Sequence, residues 1–141
     1  MRDMHNQIEI RRCIAPVSGA ADNTAQVGQI IDQANFETLE YLIALGAIAD
    51  ADATFTVLLE HGDAANLSDA AAVPDEQLLG TESGAGFQFD SDNTTRKIGY
   101  VGPKRYTRLT ITPANNTGAW LVSALAMLGG ARKNPRSTQA V

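Results

Sequence analysis

Ala53-Thr54-Phe55-Thr56-Val57-Leu58-Leu59-Glu60-His61-Gly62 decides the fold class. Phe55, Val57 and Leu59 fall on one side of an extended chain, and Thr54, Thr56 and Glu60 on the other. That is a period of two carried by β-branched and aromatic residues, the signature of a half-buried strand. Asp50-Ala51-Asp52 before it and Gly62-Asp63 after it are polar turns that set its length. Working outward, similar patterns recur on both sides. Ile8–Ile14 reads as a first strand ended by Pro16 and Ser18–Asn23, and Gln26–Ile31 as a short second one. Phe36–Leu45 suits a strand, although Leu39, Leu42 and Ile43 also suit one face of a helix; Gly46 and the neighbouring strands favour the strand. Asn66–Gly80 is a long excursion broken by Pro74, which predicts short helical turns near 67–79 and no continuous helix. Phe87–Phe89, Arg96–Val101, Arg105–Thr112 and Ala119–Leu128 complete the series, with Gly102-Pro103-Lys104 marking a hairpin between two of them.

About eight short strands at turn spacings of roughly 8–12 residues predict an all-β antiparallel sandwich of jelly-roll type. The pattern places this one domain at residues 1–130. Residues 131–141 are basic, contain Pro135 and no aromatic, and are expected to be a flexible arm. No apolar run approaches the roughly 20 residues of a membrane-spanning helix, and the amino-terminal residues do not read as a secretory signal. No membrane partner is therefore expected.

Charge is segregated along the chain. Residues 13–95 hold fourteen acids and no base, whereas residues 96–141 hold eight bases and no acid. If carboxyl-terminal strands pair with strands of the acidic stretch, opposite charges face one another, each pair giving about 0.2–1 kcal/mol. The sharper reading is one positive surface directed at an acidic partner. Direct nucleic-acid binding is not expected, because the fourteen acids in the same small body oppose it.

Chemistry was sought and not found. There is no phosphate-binding glycine loop ending in Lys-Ser/Thr and no G-x-S-x-G elbow. One cysteine, Cys13, allows no internal disulfide and reads as a buried thiol. Glu60-His61-Gly62-Asp63 groups carboxylates with an imidazole, yet Glu60 and His61 alternate faces on a strand. Asp90-Ser91-Asp92-Asn93 fails as a calcium loop, since Thr95 stands where glycine is needed and Val101 where glutamate is needed. No catalytic residue, metal or cofactor is expected, and no enzyme. The interface candidates are Tyr100, Tyr106 and Arg105 on the predicted hairpin, where the tyrosines form either a plain solvent face or a stacking surface, Trp120 at the start of the last strand, which reads first as a core residue and second as an interface anchor, and Arg132, Lys133 and Arg136 in the arm.

Several segments carry a family likeness. Phe36–Tyr41, Thr56–Asp63, Leu67–Val73, Arg96–Gly102 with Lys104-Arg105-Tyr106, and Thr117-Gly118-Ala119 leading into an alanine-rich last strand resemble small head proteins of tailed bacteriophages. Among these the chain is most similar to the jelly-roll cement, or decoration, proteins of podophage capsids. The resemblance implies a structural virion protein acting as a homodimer. It implies binding to the exterior of an icosahedral shell built from a major capsid protein of HK97-like fold, with assembly in the host cytoplasm. The alternative is a carbohydrate- or receptor-binding β-sandwich module, which would use the Tyr100/Tyr106 hairpin.

Overall fold

The strand that opened the reading, β5 (Thr54–Gly62), buries Phe55, Val57 and Leu59 and leaves Thr54, Thr56 and Leu58 exposed. Its alternation is the alternation of its sequence, because one face meets the core and the other does not. A computed structural model describes residues 3–133. In it, β5 lies antiparallel to β10 (Tyr106–Ala114) over its whole length, from Tyr106 opposite Gly62 to Ala114 opposite Thr54.

Around this pair the six-stranded sheet is completed by four short strands. β2 (Gln26–Val27) and β3 (Ile31–Asp32) both pair with β10, whereas β6 (Ala71–Ala72) and β8 (Phe87–Gln88) both pair with β5. The second sheet has five strands in the order β1 (Ile8–Gly19), β11 (Trp120–Gly129), β4 (Thr38–Ile48), β9 (Thr95–Tyr100) and β7 (Leu78–Leu79). Every pairing is antiparallel. Setting aside the two-residue β7 at the edge and merging the short strands β2 with β3 and β6 with β8 leaves eight positions, ordered 1-8-3-6 in one sheet and 2-7-4-5 in the other. This is the double Greek key of a jelly roll, and the fold is an all-β sandwich of that kind.

The core lies between the sheets. Leu39, Tyr41, Ile43 and Leu45 of β4 and Trp120, Val122, Ala124, Ala126 and Leu128 of β11 face Phe55, Val57, Leu59, Leu109 and Ile111 of the other sheet. Trp120 is fully buried, with its ring centroid 4.6 Å from that of Phe55, which in turn stacks on Phe87 at 4.7 Å. A Cβ at Gly19 would run into this indole, so the end of β1 is restricted to glycine. Two polar bridges cross the core from sheet to sheet. The Tyr41 hydroxyl meets Thr107 Oγ1 at 2.6 Å, and the Tyr100 hydroxyl meets His61 Nδ1 at 2.9 Å. Burial raises the Tyr41 hydroxyl and pushes the Cys13 thiol up to about 12, so the cysteine is an inert core residue.

Three sequence expectations are corrected in detail, and the strand expected from Phe36 is borne out. β1 does not stop at Pro16 but runs to Gly19, with register shifts between Arg12 and Ile14 and between Ile14 and Val17. It is an edge strand, where proline and bulges are tolerated. Residues 67–79 contain a single turn of 3-10 helix at Asp75–Gln77, and the α-helical turn α1 (Glu82–Ala85) follows outside that window, capped by Thr81 Oγ1 accepting from Gly84 N–H. The segment from Phe36 forms a strand, beginning at Thr38. Gly102-Pro103-Lys104 does not close a hairpin: β9 belongs to the five-stranded sheet and β10 to the six-stranded one, so the connection arches across the core.

Candidate functional site

The two outer faces differ sharply. On the five-stranded sheet, one cross-strand row runs Ile10, Met127, Glu40, Gly99, Leu79, and the next runs Arg12, Leu125, Leu42, Lys97. Beyond them lie Ser123, Ala44 and Thr95, then Leu121 packed over Gly46. Ile10, Leu79, Leu121 and Leu125 are 44%, 55%, 47% and 40% exposed, and Val101 continues the apolar margin. Five strands about 4.8 Å apart, with β11 rising about 3.3 Å per residue, give a face of roughly 20 by 30 Å. Apolar residues exposed side by side on one sheet face, here interspersed with Arg12, Glu40, Lys97, Ser123 and Thr95, make this face a candidate interaction surface.

One carboxylate stands inside this field. Glu40 lies over Gly99, where an added Cβ would meet both its Oε2 and the Leu79 side chain. The apolar neighbours desolvate its carboxyl and raise its pKa, with Lys97 opposing weakly through charge.

On the six-stranded sheet the outer face is polar: Thr54, Thr56 and Glu60 from β5, and Tyr106, Arg108, Thr110 and Thr112 from β10, with Leu58 and Val27 the exposed apolar residues. Its charges are paired. Arg108 donates to Glu60 Oε2 at 2.8 Å from directly across the ladder, and Arg105 donates two bonds to the Asp32 carboxylate, both 2.8 Å. Lys104 pairs with Asp63. Each of these three pairs joins a base of the carboxyl-terminal block to an acid of the central block, so segregation along the sequence becomes neutralisation in space.

The edge of this sheet is guarded as well. β8 pairs with Thr54 and Phe55, and β6 with Glu60 and His61, leaving residues 56–59 of β5 without a partner strand on that side. Glu82 of α1 reaches in and accepts the Leu59 N–H at 2.7 Å, and Val73 N–H donates to Leu59 C=O at 2.9 Å. Beside this gap is a cleft of about 640 Å³ floored by Phe55, Phe87 and Val57 and rimmed by Glu82, Gln88 and Arg96.

The sequence-selected residues scatter. Tyr100 is 2% exposed and points between the sheets, because it ends a β9 whose Ile98 and Tyr100 both face inward. Tyr106 lies on the outer face of the opposite sheet, half-buried, with the Arg105 guanidinium 5.0 Å above its ring. The shared stacking surface expected of the two tyrosines is therefore absent, and Trp120 is a core residue. Arg105 and Arg132 do come together, lining a groove of about 480 Å³ between residues 33–37 and 100–105, where Arg132 N–H donates to Asn35 C=O at 3.0 Å. Lys133 follows, exposed; Arg136 and the rest of the expected arm, from residue 134, lie outside the described residues.

His61 is buried and bonded to Tyr100, and among the described residues no group of three or more His, Cys, Asp or Glu side chains is arranged to hold a metal. No described helix is long and apolar enough to cross a membrane. The apolar face was missed by sequence reading, although a signal for it existed. The run Ala119–Leu128 is apolar at both parities, which implies a strand wanting contact on both sides, and the described residues cover one of them.

No protein-family model and no curated protein matches this sequence. Solved structures do. A chain from the capsid of Ralstonia phage GP4 superposes with a TM-score of 0.53 at 10% identity, over 94% of this chain and 90% of that one. A chain of the infectious bursal disease virus Gx strain gives 0.45 at 11% identity over 92% of this chain, which spans 34% of the viral one. The carboxyl-terminal family 22 carbohydrate-binding module of Clostridium thermocellum Xyn10B gives 0.45 at 11% identity, over 94% and 92%. At about one identical residue in ten, the likeness to the phage capsid chain shows a shared fold and no more.

Proposed function

We propose that this chain is a structural virion protein of a tailed phage. It decorates the outside of an icosahedral head and stabilises contacts between major capsid subunits of HK97-like fold. The observation that carries the reading is the apolar outer face of the five-stranded sheet, on a fold similar along nearly its whole length to a phage capsid chain. Its exposed apolar residues, Ile10, Leu79, Val101, Leu121 and Leu125, are anchors of the kind an interface buries at its centre. Repeated over a shell, individually modest contacts suffice, because neighbouring copies raise one another's effective concentration. The same virion setting implies a homodimer as the decorating unit, assembled in the host cytoplasm.

The test is cosedimentation with purified expanded heads of the encoding phage, stripped of this protein. Saturable binding that is lost on placing lysines at Leu121 and Leu125 supports the proposal. Absence of binding by the unaltered chain, or binding indifferent to those lysines, overturns it. The carbohydrate-binding alternative has Tyr106 as its exposed ring. Specific glycan-array signals abolished by Tyr106→Ala would put that reading in place of the first.

A further inference from the structure

Four acids lie on the strands: Glu9 on β1, Asp32 on β3, Glu40 on β4 and Glu60 on β5. Three of them have an arginine. Arg11 meets Glu9 at 2.6 Å, and Arg105 meets Asp32 and Arg108 meets Glu60, both at 2.8 Å. Glu40 is the exception: no described residue gives its carboxylate a hydrogen bond or an ion pair. Lys97, opposite Leu42 on the next cross-strand row, acts on it only through charge at a distance.

The carboxylate lines a hollow of about 400 Å³ on the outer face of the five-stranded sheet. Ile8, Leu42, Leu79, Val101 and Met127 supply apolar lining from four strands and the start of the arching loop, and Lys97 is the other charged group at the hollow. Gly99 lies beside the acid. A Cβ there would stand 2.5 Å from Glu40 Oε2 and 2.9 Å from Leu79 Cβ, so the missing side chain lets carboxylate and leucine lie next to each other. An acid in such surroundings has lost water on its apolar sides without gaining a partner, which is why its pKa is raised. Among the described residues none uses the charge, and a glutamine of the same shape would fill the place without it.

We infer that Glu40 is the receiving half of an ion pair completed by a lysine or arginine of the surface on which this face docks. The inference rests on the virion reading and adds the chemistry of the contact: the major capsid subunit presents a basic side chain at this point. The hollow suits such a group along its whole length. Leu42, Leu79 and Met127 offer apolar surface to a long aliphatic stem, and the carboxylate meets the charged head. Docking removes the remaining water, so the attraction strengthens as the face closes. Leucines alone tolerate several registers. A single acid among them favours the one that brings a cation to Glu40 and thereby fixes how the sheet sits on its partner.

Cosedimentation with purified heads stripped of this protein tests the anchor, with Glu40→Gln and Glu40→Met beside the parent chain. Both variants should bind at least about tenfold more weakly, and in urea at neutral pH neither should unfold earlier than the parent. Glu40→Met is the sharper of the two, because it completes an apolar face. Parent-like or tighter binding by Glu40→Met shows that the site wants apolar contact alone and overturns the anchor, as does undiminished binding by Glu40→Gln. If Leu121→Lys with Leu125→Lys still abolishes binding in that case, the anchor falls and the virion reading stands. A parent chain that does not bind heads overturns both. A parent that dimerises in sedimentation equilibrium, with Glu40→Gln remaining monomeric, assigns the cation to Lys97 of a second copy and overturns the capsid anchor.

Discussion

The outer faces of the two sheets are built from the same period-two strands and reach opposite chemical ends. On the six-stranded sheet, threonines and cross-strand ion pairs leave a finished surface: Arg108 is answered by Glu60, and Arg105 by Asp32. On the five-stranded sheet, Ile10, Leu79, Leu121 and Leu125 face outward, and the acid among them, Glu40, is desolvated by apolar neighbours. A folded chain gains nothing by exposing leucines on a strand whose alternate positions were free to be polar. The contrast shows that stability of the isolated chain does not explain the second face, which is why the proposed contact with a capsid surface is placed there.

The contrast can be broken most directly by charge. Lysines placed together at Leu121 and Leu125 should cut head binding about a hundredfold. In urea unfolding they should change stability by no more than about 0.5 kcal/mol, the usual range for surface positions. The same pair of lysines at Thr56 and Thr112 on the polar face should leave binding unchanged. Equal losses from both faces would erase the distinction.

The next effect concerns the guarded edge. Glu82→Ala strips the acceptor from Leu59 N–H and should cost about 1–3 kcal/mol in thermal or urea denaturation. A loss below a few tenths would show that water replaces the carboxylate without penalty. Smaller still is the Arg108–Glu60 pair: a double-mutant cycle should give about 0.2–1 kcal/mol, shrinking as salt is added.

The smallest effect reverses the usual sign. Glu40 has a folded pKa raised above its unfolded value, so the native state holds the proton more tightly. Its ionisation therefore removes stability as pH rises through and above the ordinary carboxyl range. Glu40→Gln should be slightly more stable than the parent at neutral pH and no more stable in acid. A destabilised variant at neutral pH would mean that Lys97 compensates the carboxylate fully.

Much of this was readable before any coordinates. Phe55, Val57 and Leu59 declared an inward face, and the acidic and basic blocks allowed for mutual pairing. Gly102-Pro103-Lys104 misled, because turn chemistry records only that the chain reverses. A hairpin lays its strands in one sheet, and an arch sends them to opposite sheets; both use the same residues. What separates them here is that Ile98 and Tyr100 face Leu109 and Ile111 across the core, a non-local fact. Trp120 is interior, as its place in an apolar strand suggested; Tyr100, expected on a hairpin's outer face, is interior too, while Leu121 and Leu125, unremarkable within an apolar run, proved to be the surface. Leu42 explains the helical ambiguity of its segment: an apolar residue on the outer face of β4 imitates the stripe of a helix.

The position of β11 has a kinetic consequence. It lies between β1 and β4, yet it is the last of these strands to leave the ribosome. Until Gly129 has emerged, β1 lacks its partner in the sheet and β4 shows a bare hydrogen-bonding edge, so the sheet cannot close before then. Such late, long-range closure predicts refolding in the millisecond-to-second range. A nascent chain stalled before Trp120 would remain a protease-sensitive, aggregation-prone intermediate.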